Sequence, residues 1–125
     1  MKAKILVIED NEQNLYLVRF MLERSGYEVH AALDGESGIE MAATLSPDLI
    51  LLDIQLPLMD GYAVARGLRG NPALAEIPIV AVTSYAMPGD REKTLEAGCN
   101  GYIEKPINPD TFVTQVERHL PAGMR

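Results

Sequence analysis

Five residues in this chain carry side chains suited to one kind of chemistry, and each lies at the end of a short run with the pattern of a strand. Glu9 and Asp10 come after Ile5-Leu6-Val7-Ile8, Asp53 after Leu49-Ile50-Leu51-Leu52, Thr83 after Ile79-Val80-Ala81-Val82, and Lys105 after Tyr102-Ile103-Glu104. Singly, each has an ordinary explanation: a turn former, a strand end, a surface charge. Brought to one place, they would form a set of three carboxylates, a hydroxyl and an ammonium group. Two carboxylates about 4 Å apart repel by roughly 4 kcal/mol at an effective dielectric of 20. A cluster of three therefore requires either that one stays protonated or that a hard cation sits among them. Oxygen-only donors in a water-accessible cleft suit Mg²⁺. Asp10 and Asp53 would be direct ligands, the backbone carbonyl of Gln55 a third, and Glu9 would act through bound water. With Mg²⁺ bound, incoming phosphoryl oxygens would be neutralised while the free oxygen of Asp53 attacks in line. Lys105 and Thr83 would then bind two further phosphoryl oxygens.

The elements needed to assemble this set can be read from the apolar pattern. Leu49 to Leu52, four consecutive aliphatics between Asp48 and Asp53, read as a strand buried on both faces of a parallel sheet. Strands are expected over Lys4 to Ile8, Glu28 to Ala32, Pro78 to Val82 and Gly101 to Glu104 as well. Asn11 caps a first helix with Leu15, Val18 and Leu22 inward, ended by Gly26. Asp34 starts a second, with Ile39, Ala42, Ala43 and Leu45 as its inner face and Pro47 as its stop. Asp60-Gly61 leads into a third with Val64 and Leu68 inward. A fourth runs from Met87-Pro88-Gly89-Asp90 to Gly98 with little to bury beyond Leu95 and Ala97. The Tyr85–Ala97 stretch is thus expected to be the least firmly anchored part of the fold. Asn108-Pro109 caps a fifth helix carrying Phe112, Val113, Val116 and Leu120, which Pro121 terminates.

This (βα)5 alternation predicts a flavodoxin-like, doubly wound parallel sheet of order 2-1-3-4-5 with right-handed crossovers. Its crevice lies at the carboxyl edge, at the switch point between strands 1 and 3. Those are the strands that end in Glu9-Asp10 and Asp53. Strands 4 and 5 bring Thr83 and Lys105 to the same edge.

Composition narrows the partners. At 125 residues the chain is expected to be one domain, with a core over about residues 4–120 and a short tail. Its net charge of −7 and pI near 4.7 argue against nucleic acid or an anionic membrane surface. The single cysteine, Cys99, rules out an internal disulfide and is read as packing. Ile5 to Ile8 is too short for a signal peptide or a membrane span, so a cytoplasmic location is expected. His30 and His119 fall away from the carboxyl edge and are read as surface or helix-end residues.

Glu9-Asp10, Asp53, Thr83-Ser84 and Lys105-Pro106 resemble, in order and spacing, the site residues of the receiver domain of two-component response regulators. The likeness covers Lys4 to Leu120. Glu9-Asp10-Asn11-Glu12, Asp53-Ile54-Gln55-Leu56-Pro57, Tyr85-Ala86-Met87 and Lys105-Pro106-Ile107 look like stand-alone regulators of the DivK type in particular. Hybrid-kinase receiver domains share many of these residues.

The resemblance implies that Asp53 accepts a phosphoryl group from a phosphohistidine on a sensor histidine kinase or histidine phosphotransfer protein. It implies Mg²⁺ held by Asp10 and Glu9, phosphoryl binding by Lys105, and a cis peptide bond at Lys105-Pro106. Thr83 would reorient towards the phosphoryl group and Tyr102, at the switch aromatic position, would rotate inward with it. From its residue type alone, Tyr102 reads as a half-exposed strand aromatic. Ser84 stands where the family often has alanine and is still small enough to leave Asp53 accessible. The family's output surface is the face of helix 4, strand 5 and helix 5. With only a short tail after Leu120, control of a downstream protein in trans is expected, from a monomer or a weak phosphorylation-linked dimer. Two other classes are weighed against this one. A phosphohydrolase working through an aspartyl phosphate usually needs an acid two residues after the nucleophile, where Gln55 stands. A constitutive binding module would have no use for all five site residues.

Overall fold

The computed structural model describes residues 2–56, 58–84 and 89–125. Five strands, β1 (Lys4–Ile8), β2 (Glu28–Ala32), β3 (Leu49–Asp53), β4 (Ile79–Thr83) and β5 (Gly101–Glu104), form one parallel sheet of order β2-β1-β3-β4-β5. Five helices alternate with them: α1 (Glu12–Arg24), α2 (Gly35–Leu45), α3 (Gly61–Arg69), α4 (Asp90–Glu96) and α5 (Phe112–Glu117). This is the doubly wound order that the alternation of apolar runs predicts.

The sheet separates two cores because successive strand residues point to opposite faces. Ile5, Val7, Leu49, Leu51, Val80 and Val82 pack with Val18 and Leu22 of α1 and Phe112 and Val116 of α5. Leu6, Ile8, Ile50, Leu52, Ile79 and Ala81 pack with Ala42 of α2 and Val64, Ala65 and Leu68 of α3. Every residue of β3 and β4 is buried. A continuously apolar run is therefore needed there, each large aliphatic contributing about 1.5–3 kcal/mol by leaving water.

Caps set the helix starts. The side chains of Asn11, Asp34 and Asp60 accept from the N–H groups of Asn14, Ser37 and Ala63, at the first turns of α1, α2 and α3. Gly61 is required at the start of α3. A Cβ there would run into Ile54 Cα and lie 2.8 Å from the Asp53 carbonyl oxygen, and the Gly61 N–H donates to the Ile54 carbonyl at 2.9 Å. The close approach ties α3 to the end of β3, just beside Asp53.

Three local expectations are corrected. Ala43 is exposed rather than inward: it lies about 100° around the helix from buried Ala42. Leu95 of α4 is half-exposed, so that Thr94 is the buried residue of this short helix, with Ala97 buried just past its end. Asn108-Pro109 does not cap α5. The Asn108 side chain accepts from the Asp110 N–H, its carbonyl accepts from Thr111 and Phe112, and Thr111 takes the cap position. Local side-chain bonding of this kind competes with helix initiation and delays it. Pro57 and Tyr85-Ala86-Met87-Pro88, which carry part of the family likeness and of the mobile-segment expectation, lie outside the described residues.

Candidate phosphoacceptor and metal site

The register of the sheet explains how residues far apart in sequence meet. Ile8 pairs with Leu52, so the next residues, Glu9 and Asp53, emerge side by side at the carboxyl edge and share a face. Asp53 pairs with Val82, placing Thr83 one residue further along β4. Thr83 pairs with Glu104, and the Lys105 N–H donates to the Thr83 carbonyl at 2.8 Å. The structure thus gathers all five sequence-identified residues at one sheet edge.

Glu9, Asp10 and Asp53 each offer a carboxylate oxygen within 4.8 Å of the others. Asp10 is exposed, whereas Glu9 and Asp53 are each only 4% exposed. At that separation a pair of anions repels by roughly 3–4 kcal/mol at an effective dielectric of 20. Lys105 compensates in part, its Nζ lying 3.3 Å from Asp53 Oδ2 and 3.6 Å from Glu9 Oε1. The Asn11 N–H donates to Glu9 Oε2 at 3.2 Å, and the Gln55 N–H to Asp53 Oδ1 at 2.9 Å. Glu9 is nevertheless pushed up to about 7. Burial is the largest cause, followed by its hydrogen bond to Asp53 and the Asp53 charge; the Asn11 N–H and Lys105 act in the opposite direction. This all-oxygen donor set fits a divalent cation, which would replace a proton in relieving the repulsion.

The peptide bond between Lys105 and Pro106 is cis. Thr83 is buried at the end of β4, and Tyr102, opposite Ala81, is half-buried against the α2–α3 core. Gln55 has a side-chain role that the sequence reading missed. Its Oε1 accepts both the backbone N–H and the hydroxyl of Ser84, joining the loop after β3 to the loop after β4. The bridge follows from the Asp53–Val82 register, which sets Gln55 and Ser84 two residues beyond a paired position.

The residues read as bystanders lie elsewhere. Cys99 is buried beside Arg69, and burial pushes its thiol up to about 11, the reverse of a reactive cysteine. His30 pairs with Glu28 at 2.7 Å on β2, and His119 lies against Gly101 at the start of β5.

A parallel sheet with two acidic strand ends and a lysine facing an aspartate fits a receiver-type protein, and similarity to known proteins shows the family. The chain belongs to the response regulator receiver domain family, whose profile matches residues 5–117. It is 40% identical over 120 residues to the polar-differentiation response regulator DivK of Brucella anthropi, covering 96% of this chain and 98% of that one. It superposes on the chemotaxis protein CheY4 of Vibrio cholerae with a TM-score of 0.91 at 28% identity, over 96% of this chain and 100% of the other. It also superposes on the receiver domain of a sensor histidine kinase from Pseudomonas aeruginosa, solved with a magnesium ion in its active-site cleft. That match has a TM-score of 0.87 at 35% identity, over 95% and 98% of the two chains. The chain is accordingly a receiver-domain protein of bacterial two-component signal transduction. Among the described residues no helix is long and apolar enough to cross a membrane.

Proposed function

We propose that this single receiver domain is a phosphorylation switch in which Asp53 accepts a phosphoryl group from a phosphohistidine of a sensor histidine kinase or histidine phosphotransfer protein. The observation that carries this reading is the Lys105 ammonium 3.3 Å from Asp53 Oδ2, on the side away from the oxygen bonded by the Gln55 N–H. One Asp53 oxygen is oriented by a backbone donor, and the other lies beside a cation that can bind an incoming phosphoryl oxygen. In the transfer a carboxylate oxygen of Asp53 bonds to phosphorus, the phosphorus–nitrogen bond breaks, and its electron pair stays on the donor imidazole.

Asp10, Asp53 and the Gln55 carbonyl would hold Mg²⁺ directly, with Glu9 acting through water. The ion supplies charge neutralisation for the phosphoryl oxygens. Lys105 holds one of those oxygens and Thr83 another. Moving a two-state equilibrium from 1:99 to 99:1 takes about 5.5 kcal/mol, and hydrogen bonds to charged groups contribute roughly 1.5–3 kcal/mol each. Bonds from Lys105, Thr83 and one backbone N–H are enough. Thr83 and Tyr102 point to the same face of adjacent strands, which supports Tyr102 as the residue that carries the change towards α4, β5 and α5. That face would act on a downstream protein in trans, in the cytoplasm.

The Gln55 side chain, committed to Ser84, stands where a phosphohydrolase would place its acid, which favours a switch over a turnover enzyme. The test is transfer from a phosphorylated histidine phosphotransfer domain to wild type, Asp53→Asn and Lys105→Ala in the presence of Mg²⁺. Label should appear on wild type, be absent from Asp53→Asn and arrive slowly on Lys105→Ala. Label on Asp53→Asn at the wild-type rate would overturn the assignment.

A further inference from the structure

The loops that follow β2 and β3 meet at the start of α2 and enclose a cavity of about 270 Å³, lined by Asp34, Gly35, Glu36, Leu58 and Met59. They come this close because residue 35 is glycine: a Cβ there would lie 2.5 Å from Val64 Cγ2 and 3.4 Å from Met59 Sδ. Leu58 is the unusual member of the wall. Its φ of 66° lies in the left-handed region, where a leucine is strained and a glycine is not. Its side chain is fully exposed, so no burial offsets that cost. Neither its backbone nor its side chain stabilises the isolated fold, and strained residues of this kind gather where a protein binds something.

The charged part of the wall has one sign. Asp34 and Glu36 line it and no Lys or Arg does, and among the described residues neither carboxylate makes an ion pair. The Ser37 N–H holds the Asp34 carboxyl below the usual carboxylate range, so it stays charged at pH 7. Glu36 is exposed. The apolar part continues past the cavity, since half-exposed Leu33 directly precedes Asp34. An apolar wall rimmed by unpaired carboxylates complements a segment that carries both an apolar side chain and Lys or Arg. It disfavours an acidic occupant, a second copy of this chain with its net charge of −7 included.

We propose that this cavity docks a short basic segment of a partner protein, which seats one apolar side chain against Leu58 and Met59 and pairs Lys or Arg with Asp34 and Glu36. A cavity of this size takes one anchoring side chain, and Leu33 extends the contact outside it. The left-handed turn at Leu58 then has a purpose: it holds an apolar side chain out in solvent for the partner to cover. Neither Glu9, Asp10 nor Asp53 lines the cavity, so docking stands apart from the phosphoacceptor reading above.

The test uses the full ¹⁵N-labelled chain with Mg²⁺ present, titrated with a short synthetic peptide of lysine and leucine. A lysine–serine peptide of the same length and charge is the control. The lysine–leucine peptide should shift the amides of Gly35, Glu36, Leu58 and Met59 and bind more weakly as salt is added. Leu58→Gly should weaken binding about tenfold or more, the loss of one covered leucine side chain. The urea midpoint of that variant should hold or rise, because glycine relieves the left-handed backbone. Glu36→Gln should weaken binding about twofold and flatten its salt dependence. Asp53→Asn should bind the peptide as wild type does. Equal binding of the lysine–serine peptide would assign the interaction to net charge alone, and loss of binding in Asp53→Asn would place the peptide at the carboxylate cluster. Either result overturns the proposal, as would undiminished binding by Leu58→Gly or no shift at the named amides. A lowered urea midpoint for Leu58→Gly would show that Leu58 serves the fold, and would overturn it as well.

Discussion

Glu9 makes the stability of the Mg²⁺-free protein depend on pH in a direction opposite to most carboxylates. Its pKa rises from the usual 4.5 to about 7 on folding, mainly through burial. The folded state therefore holds a proton that the unfolded state has released. Stability is fully present below pH 4.5 and is lost as pH rises through 7. At about 1.4 kcal/mol per pKa unit the loss is about 3 kcal/mol. With a urea dependence of about 1–3 kcal/mol per molar, the denaturation midpoint should fall by roughly 1–3 M. Other groups act outside this window or can be removed. Glu28 and Asp34 are lowered and titrate below it, while Cys99 and Tyr27 are raised and titrate above it. His119 is lowered, so its contribution runs the other way, with stability rising towards pH 6.5; the His119→Gln background removes it. The assay is urea denaturation from pH 5 to 8.5 in EDTA, for His119→Gln with and without Glu9→Gln. The downward slope should vanish with Glu9→Gln. In excess Mg²⁺ the stabilisation over EDTA should increase from pH 6 to pH 8 as the proton gives way to the cation. An unchanged slope in Glu9→Gln would refute the account of the crowded carboxylates.

Three further outcomes are expected. Lys105→Ala should slow phosphoryl transfer to Asp53 about tenfold to a hundredfold, the loss of one hydrogen bond to a charged group, measured by single-turnover labelling. Gly61→Ala should destabilise the fold by about 1–3 kcal/mol in urea, because the new Cβ meets the backbone of Ile54 and Asp53 and not a flexible side chain. Arg69 donates to the carbonyls of Gly98, Leu74 and Ile77 and to Asn100 Oδ1, so Arg69→Lys should cost about 2–4 kcal/mol, since one ammonium cannot reach that fork of acceptors.

The sheet and its site were legible because the chemistry sits at strand ends. Once Leu49 to Leu52 is read as a doubly buried strand, chain order and the right-handed crossover carry Glu9, Asp53, Thr83 and Lys105 to one edge. Register then follows from the pairing of Ile8 with Leu52. What could not be read depends on contacts between distant loops. The Gln55–Ser84 bridge spans 29 residues and exists only because β3 and β4 are paired in one register. Arg69 looks like a surface cation at the end of α3, yet it gathers five acceptors from the segment before β4 and the turn before β5. The late start of α5 reflects competition from the Asn108 turn, which composition does not distinguish from a cap. The cavity beside Leu58 needs Met59 against Gly35, a meeting of two elements that neither announces alone.

The central claim is that Asp53 is the phosphoacceptor of a Mg²⁺-dependent switch. Intact-mass spectrometry after incubation with acetyl phosphate tests it most directly, on wild type and Asp53→Asn, each with Mg²⁺ and with EDTA. A single phosphoryl addition is expected on wild type with Mg²⁺ and in none of the other three samples. Addition to Asp53→Asn at the wild-type level, or addition that persists undiminished in EDTA, would contradict it.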